Sequence, residues 1–559
     1  MKPGFLSDRN LGSLEPELNG AGTYVGLKED INGLSRPHGN DNRFDIGCSE
    51  FWLPSQDLDI TAVTNPVRIN VNNTVTVSLR NRGEDDIVDG VYSISYSVDS
   101  GKQYLVTEVD TIHQLAPGDF QSYTFKTTWQ PKRTGDFRLV VKIDEKIDGD
   151  PDISDSIFVD ICSGLSGTYT INAAKPTGLN NFNSLKEAVS KLRCGLDGPT
   201  VFLLSPGTYN EAIEIPKIAG AGAGAHLTID GQHVDSVRIS HQGRSFERAY
   251  TIQLNNASYI DLKNLTIISK SDAFGQTVRL CNGASYNLIE KCKILGENSS
   301  NSNSAGIAIQ SNLSPDAGTA GSGNRFLENT LNGHYYGIHI LGRSGMSGQT
   351  KFNQVKGNTV SSYYQAGISV SHTDSSLVES NTILKPRYSV GFGYYEYNCR
   401  ATQLLSNEVM DYGQYGIYTH YSNHDFPYSQ SLMLNNMVAG TAKLTSNFEA
   451  SAGINIYSNS RNWVIWHNSV QFISSNTPGY YSSVEAIPAA IRFMGAVNAD
   501  VRNNVFSNRS QSSKSVGLLN SYSTFASLDF NQYFSATNKI IAHDGFNIKN
   551  LSTWQTVRP

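Results

Sequence analysis

At 559 residues the chain is longer than one hydrophobic core ordinarily serves, so two or more folding units are expected. Its net charge of −6, with no basic block, argues against a nucleic-acid partner, and it has no run of 18 apolar residues to span a membrane. Charged residues are only 17% and hydrophobic ones 39%; Gly, Asn, Ser and Thr fill the balance, which suits β-structure with many turns. The six cysteines (48, 162, 194, 281, 292 and 399) form no metal-binding pattern. Cys162 and Cys194 flank one expected helix, and Cys281 and Cys292 lie 11 apart within one repeat. Each pair is a disulfide candidate if the protein is exported, and buried free thiols are the alternative for each.

Residues 1–52 are turn-rich and lack a periodic apolar face. The opening Met1-Lys-Pro-Gly-Phe-Leu-Ser-Asp8 has no apolar signal-peptide core. Asp30-Ile-Asn-Gly-Leu-Ser-Arg36 is followed by Asp45-Ile-Gly-Cys-Ser-Glu50. The two phrases, D-x-x-G-x-x-R and D-I-G-x-x-E, resemble the closing segment of exported bacterial β-helix proteins, with Cys48 departing from the usual small residue. The resemblance implies that 1–52 closes a preceding β-helix unit.

Residues 57–162 change character. Val75–Leu79, Val91–Tyr96, Tyr123–Phe125 and Phe137–Ile143 alternate apolar and polar positions, separated by Asn81-Arg-Gly83, Ala116-Pro-Gly118 and Thr134-Gly135. Short strands with Gly/Pro turns at this spacing predict a β-sandwich of about 100 residues. Leu115, Pro117, Gly118, Phe125, Trp129, Gly135 and Phe137 carry a resemblance to immunoglobulin-like (CARDB-type) modules that space the domains of surface proteins. Asp148, Asp150 and Asp152 form an acidic loop near its end. They are calcium candidates, with a solvated loop as the alternative, and no other cofactor is expected.

Residues 164–559 form the third unit. Ser184-Leu-Lys-Glu187 reads as a capping box ahead of Ala188, Val189 and Leu192, predicting one short helix over 184–193. Thr200–Leu204, the Pro206-Gly207-Thr-Tyr209 turn, Ile213–Ile215 and Leu227–Ile229 follow. This order is similar to the amino-terminal cap of right-handed parallel β-helices in exported surface proteins. A helix laid across the first coil removes its apolar end from water. The fold class expected is all-β: a right-handed parallel β-helix preceded by an immunoglobulin-like β-sandwich.

Two phrases then alternate. One is Gly (or Ala) with alternating apolar residues, at Gly306–Ile309, Gly337–Ile340, Gly367–Val370, Gly416–Thr419, Gly453–Ile456 and Ala490–Phe493. The other is Asn-x-apolar, at Asn329, Asn358, Asn381, Asn407, Asn436, Asn468 and Asn504, spaced 29, 23, 26, 29, 32 and 36 residues apart. Such a period means stacked coils. Cys292 stands where Asn stands elsewhere. Asn tolerates the left-handed backbone of a tight turn and can bond the equivalent Asn one coil away. Spacings above about 22 residues predict insertions, at 310–323, 342–350, 421–430, 440–451 and 474–487.

Candidate chemistry is sparse. Glycoside hydrolysis needs two carboxylates on one face. The stack has few, and lacks both the N-x-D, D-D and G-H-G set of polygalacturonases and the D-P-H phrase of alginate epimerases. Lys385 and Arg387 are the close basic pair of the central coils, the residue type a lyase would use to take a proton. His420, His424 and Asp425 are a candidate loop metal site, with hydrogen bonding as the alternative. Tyrosine is concentrated: 13 of 28 lie between 335 and 428, where even spread gives about five. Tyr335, Tyr336, Tyr363, Tyr364, Tyr394 and Tyr395 should align on adjacent coils, as a sugar-stacking stripe or as structural aromatic stacks.

The resemblance implies an exported bacterial cell-surface protein, secreted by a type IX system and acting in adhesion or gliding motility. Its partners would be adjacent repeats of the same parent protein and surface polysaccharide. The chain's Trp554-Gln555 end and its Pro3-Gly-Phe5 start read as one unit of a tandem array. The alternative is a polysaccharide lyase or glycoside hydrolase acting on acidic polysaccharide.

Overall fold

The structure, a computed structural model, describes residues 18–37, 43–50, 53, 55–63, 67–68, 72–98, 106–130, 135–145, 153–178, 180–271, 274–310, 320–344, 350–388, 391–442, 451–474, 487–510, 515–536, 541–545 and 547–550. The chain divides into two compact units, Met1–Gly164 and Leu165–Pro559.

In the first unit, the paired motifs near the start hold one another. Asp30 Oδ1 accepts the N–H groups of Asn32 and Leu34 at 2.8 Å each, and its Oδ2 accepts that of Glu50 at 2.9 Å. Burial raises the Asp30 pKa, but these N–H groups outweigh it and hold the carboxyl below its usual range. Arg36 pairs with Glu50 at 3.1 Å and donates to the Gly47 carbonyl at 3.0 Å. The described part of this segment carries isolated antiparallel bridges and no β-helix coil.

Two sheets follow. Leu58–Val63, Thr76–Asn81 and Phe120–Thr124 form one; Val67–Arg68, Ile153–Cys162, Gly135–Glu145, Ile87–Val98 and Val106–Leu115 form the other. Their facing residues make one core, with Phe125 edge-on to Tyr96 at 4.8 Å and to Tyr123 at 5.1 Å. Asn81 closes the expected turn: its Oδ1 accepts from Gly83 N–H at 2.8 Å while its amide donates to the Asp85 and Leu115 carbonyls at 2.9 Å. Gly83 lies so close to the Gln56 backbone that a Cβ would collide there.

The second unit is a parallel β-helix of three sheets. Each coil contributes a strand to the first sheet (Leu165–Ile171 through Phe525–Asp529), then the second (Gly207–Tyr209 through Gln532–Ser535), then the third (Ile213–Pro216 through Ala542–Asp544). The cap helix is Leu185–Lys191, continued by a 3₁₀ turn, Leu192–Cys194. Ser184 Oγ accepts from Glu187 N–H at 3.1 Å, and Leu185, Ala188 and Leu192 enter the core. The Glu187 carboxylate reaches back to Asn183 N–H at 2.7 Å, one residue earlier than the expected box.

The two sequence phrases interlock. A Cβ at Gly306, Gly337, Gly367, Gly416 or Gly453 would strike the side chain of Leu331, Val360, Ile383, Val438 or Val470 respectively, each the apolar residue of an Asn-x-apolar phrase one coil on. The sequence pattern has a gap between Asn381 and Asn407, and Phe392–Tyr397 fills it: Gly393 faces Val409 in the same way. Tyr394 and Glu396 take the positions held by Ile368 and Val370 in the preceding coil, which hid the phrase.

Asn329, Asn358, Asn381, Asn407, Asn436, Asn468 and Asn504 form a continuous buried ladder, each donating its side-chain amide to the Asn one coil on, and Asn504 bonds in the same way to Asn531. Cys292 begins it, donating its N–H to Asn329 Oδ1 at 2.9 Å. The left-handed residue is the one before each ladder Asn, not the Asn itself: Glu328, Gly357, Ser380, Ser406, Asn435, His467 and Asn503 have φ between 54° and 67°. The Asn is thereby released to hydrogen-bond across coils.

The insertions leave the helix at two turns. Those at 310–323, 342–350 and 421–430 follow third-sheet strands, and the other two follow second-sheet strands. Residues 440–442 are strand rather than loop, because Met437–Ala442 extends beside Ser469–Ser474. Residues 311–319, 345–349, 443–450 and 475–486 lie outside the described residues.

Two buried ionisable groups oppose each other in pH. His334 is buried, with Nε2 2.8 Å from Thr277 Oγ1, and burial with the nearby Arg387 charge pushes its pKa down to about 3. The unfolded chain takes up the proton first, so stability is retained above pH 6.5 and lost as pH falls towards about 3. A His334→Gln variant should flatten that acid limb in thermal scans. Glu396 sits in the core, accepting from Ser422 Oγ–H at 2.6 Å and Tyr394 Oη–H at 2.8 Å, and burial raises its carboxyl to about 7. Here the folded state holds the proton, so stability is full below about pH 4.5 and falls as pH rises through about 7. Glu396→Gln should therefore raise the melting temperature at pH 8 and leave it nearly unchanged at pH 4.5.

Candidate functional site

The end of each third-sheet strand alternates faces, as at His339 and Leu341, and the residue three before His339, Tyr336, shares that outward face, its ring against that of His339. Register aligns three outward rows between Tyr336 and Met494. The first runs Tyr336, Ala366, Phe392, Tyr415, Ala452, Ala489; the second runs His339, Ser369, Tyr395, Tyr418, Asn455, Arg492; the third runs Leu341, Ser371, Tyr397, His420, Tyr457, Met494. Rings therefore meet rings on successive coils. Tyr395 and Tyr418 stack at 5.6 Å and 3°, Phe392 and Tyr415 at 5.7 Å and 7°, and Tyr418 and Tyr457 at 6.0 Å and 29°. Tyr336 lies over His339 at 4.3 Å, and His420 over Tyr421 at 4.1 Å.

The face is largely neutral. Burial pushes His339 down to about 4 and holds His372 and His420 below the usual imidazole value, so all three are uncharged at pH 7. Arg492, at the far end, donates to Tyr415 Oη at 3.2 Å. No carboxylate occupies any of the three rows, all of them described residues. Tyr395, Tyr397 and Tyr418 are half-buried and Tyr457 is 38% exposed, so part of each side chain remains reachable.

Beside this face, at the turn before the third sheet, runs a second rib. Tyr335 stacks on Tyr364 at 5.3 Å, and Tyr364 on Tyr388 at 4.6 Å and 3°. Tyr335 touches Tyr336 edge-on at 4.7 Å, joining rib to face.

Of the six tyrosines singled out from sequence, Tyr336 and Tyr395 lie on the face, and Tyr335 and Tyr364 on the rib. Tyr363 and Tyr394 are corrected: both are buried in the core, Tyr394 because neighbouring residues of the strand Phe392–Tyr397 point to opposite sides, and Tyr363 because the turn before Ala366–Ser371 directs its ring inward. Phe392, Tyr397, Tyr415, Tyr418, His420 and Tyr457 complete the site, and the register from one coil to the next was the signal that would have found them. Arg387 is no free base: its guanidinium donates to the carbonyls of Asn298, Ser299 and Ser362 at 2.6, 2.7 and 2.8 Å. His424 approaches Asp425 at 3.9 Å, but His420 does not join them, and among the described residues no group of three or more His, Cys, Asp or Glu could hold a metal. Cys281 and Cys292 are buried free thiols, so that disulfide candidate is corrected. Each thiol meets a backbone carbonyl instead, Leu254 and Leu262 respectively. Cys162 and Cys194 are disulfide-bonded. Asp148, Asp150 and Asp152 lie outside the described residues.

Comparison with known families fits this geometry. A profile described as "Right handed beta helix region" matches residues 319–470, and the CARDB profile matches residues 55–148. The chain joins a CARDB domain to a right-handed parallel β-helix. Among solved structures, the CARDB domain of a Pyrococcus furiosus protein in complex with di-metal ions is similar at 16% identity, covering 20% of this chain and 95% of that one, with a TM-score of 0.16. DFA-IIIase from Arthrobacter chlorophenolicus A6 in complex with GF2 is similar at 10% identity, covering 64% and 90%, with a TM-score of 0.42. A mutant of the periplasmic alginate epimerase AlgG is similar at 15% identity, covering 59% and 65%, with a TM-score of 0.37. At these identities the likeness is one of fold alone. No curated protein sequence matches the chain significantly. No helix among the described residues is long and apolar enough to cross a membrane.

Proposed function

We propose that the β-helix is a non-catalytic shaft that binds an extended polysaccharide along the outward face of its third sheet. The CARDB domain serves as a spacer, and the chain is one structural, adhesive segment of a larger, tandemly repeated protein exported to the bacterial cell surface. The observation that carries this reading is the stack of rings on successive coils, Tyr395 on Tyr418 and Phe392 on Tyr415, in rows without a carboxylate. Coils repeat every ~4.8 Å, so the face offers apolar area and hydroxyls at regular intervals, which suits a polymer of sugar rings. Glycoside hydrolysis needs a carboxylate pair that these rows do not supply.

Affinity gel electrophoresis against a panel of acidic and neutral surface polysaccharides tests the reading, with reducing ends and unsaturated products assayed in parallel. Retardation by at least one polymer without product formation is expected. Turnover that disappears in Lys385→Ala would replace this reading with a lyase.

A further inference from the structure

We infer that the turn between the second and third sheets carries a second saccharide site, a pocket that takes one acidic sugar residue of the hexuronate class. The coils at Thr382–Leu384 and Glu408–Met410 leave the second sheet after three residues. They turn at Lys385 (φ 55°) and Asp411 (φ 50°). The next coil runs straight on as Met437–Ala442, six residues long. The step between short and long coils opens a cavity of about 550 Å³, walled by Lys385, Arg387, Tyr388, Asp411 and Thr441 among others. That volume falls within the ordinary range of small-molecule sites.

The chemistry of the walls selects the ligand. Arg387 is committed to four backbone carbonyls and fixes the turn. Lys385 and Asp411 occupy the same turn position on adjacent coils, are both exposed, and make no ion pair among the described residues. The ammonium is thus available to a carboxylate, and the Asp411 carboxylate and Thr441 hydroxyl to sugar hydroxyls. Two cations against one anion favour an acidic over a neutral ring. Tyr388 forms a flat wall, held parallel to Tyr364 and continuous through Tyr335 and Tyr336 with the third-sheet face. The pocket is therefore the charged end of an aromatic track. The inference shares with the preceding proposal only the ligand class, since no residue of the three outward rows lines the cavity.

Calorimetric titration of the full chain with trigalacturonate and with cellotriose tests it. Lys385→Gly is the informative variant: it deletes the ammonium and places glycine where φ is already positive, so folding is not put at risk. The expected result is at least tenfold weaker trigalacturonate binding, unchanged cellotriose binding and an unchanged or higher melting temperature. Tyr388→Leu should weaken both sugars. Undiminished trigalacturonate binding by Lys385→Gly, or none by the unaltered chain, would overturn the pocket. Loss confined to Tyr395→Ala/Tyr418→Ala would do the same and leave the third-sheet reading intact. Loss confined to Lys385→Gly and Tyr388→Leu, with cellotriose indifferent to the Tyr395/Tyr418 pair, would support the pocket and remove the third-sheet reading.

Discussion

Replacing Asn407 with alanine is expected to destabilise the β-helix by about 3–5 kcal/mol, among the largest effects of any single substitution in the chain. The Asn407 carbonyl oxygen accepts from both the backbone and side-chain N–H of Asn381 at 3.0 Å. Its amide donates to the Val378 carbonyl at 2.9 Å and to Asn436 Oδ1 at 3.0 Å. Alanine leaves donors and acceptors on both neighbouring coils unpaired where water does not reach, and each buried orphan costs about 1–3 kcal/mol. Asn303→Ala, at an exposed position, should change stability by less than about 0.5 kcal/mol. Thermal and urea unfolding followed by circular dichroism would measure both; equal midpoints for the two variants would show the ladder to be dispensable.

The double variant Tyr395→Ala/Tyr418→Ala is expected to weaken polysaccharide binding about a hundredfold while the fold persists. Each ring contributes stacking worth roughly 1–1.5 kcal/mol beyond its buried area, and a tenfold change in affinity corresponds to about 1.4 kcal/mol. Both side chains point outward and are half-buried, so their removal opens no cavity in the core. Tyr394→Ala, one residue away, should behave in the opposite way. It empties a buried site, strips Glu396 of the Oη–H at 2.8 Å, and costs stability rather than affinity. Binding isotherms and melting curves on the same three proteins separate the two roles.

How much of this was legible depended on period. The Asn-x-apolar and Gly phrases recur, and recurrence exposed the coils and the ladder before any geometry, while the capping box at Ser184 marked the cap helix. What the recurrence did not reveal was why glycine is required: its missing Cβ makes room for a Val, Leu or Ile from the next coil, a contact between residues some 16 to 25 positions apart. The coil at Phe392–Tyr397 escaped because Tyr394 and Glu396 replace the apolar residues of the phrase, and the same substitutions place a carboxyl inside the core. Among paired tyrosines, composition marked the region but not the facing. In Tyr363-Tyr364 and Tyr394-Tyr395 the first ring is core and the second is surface, set by the turn in the first pair and by the strand in the second. Arg387 read as a free base for a similar reason: its carbonyl partners at Asn298 and Ser299 lie 89 and 88 residues away.

The most direct test is a crystal structure of the chain with a bound oligosaccharide from whichever polymer retards it. The account predicts sugar rings lying over Tyr395 and Tyr418 on the third sheet, intact and with their long axis running from coil to coil. Density for sugar on the first or second sheet alone, or for a cleaved product, would contradict it.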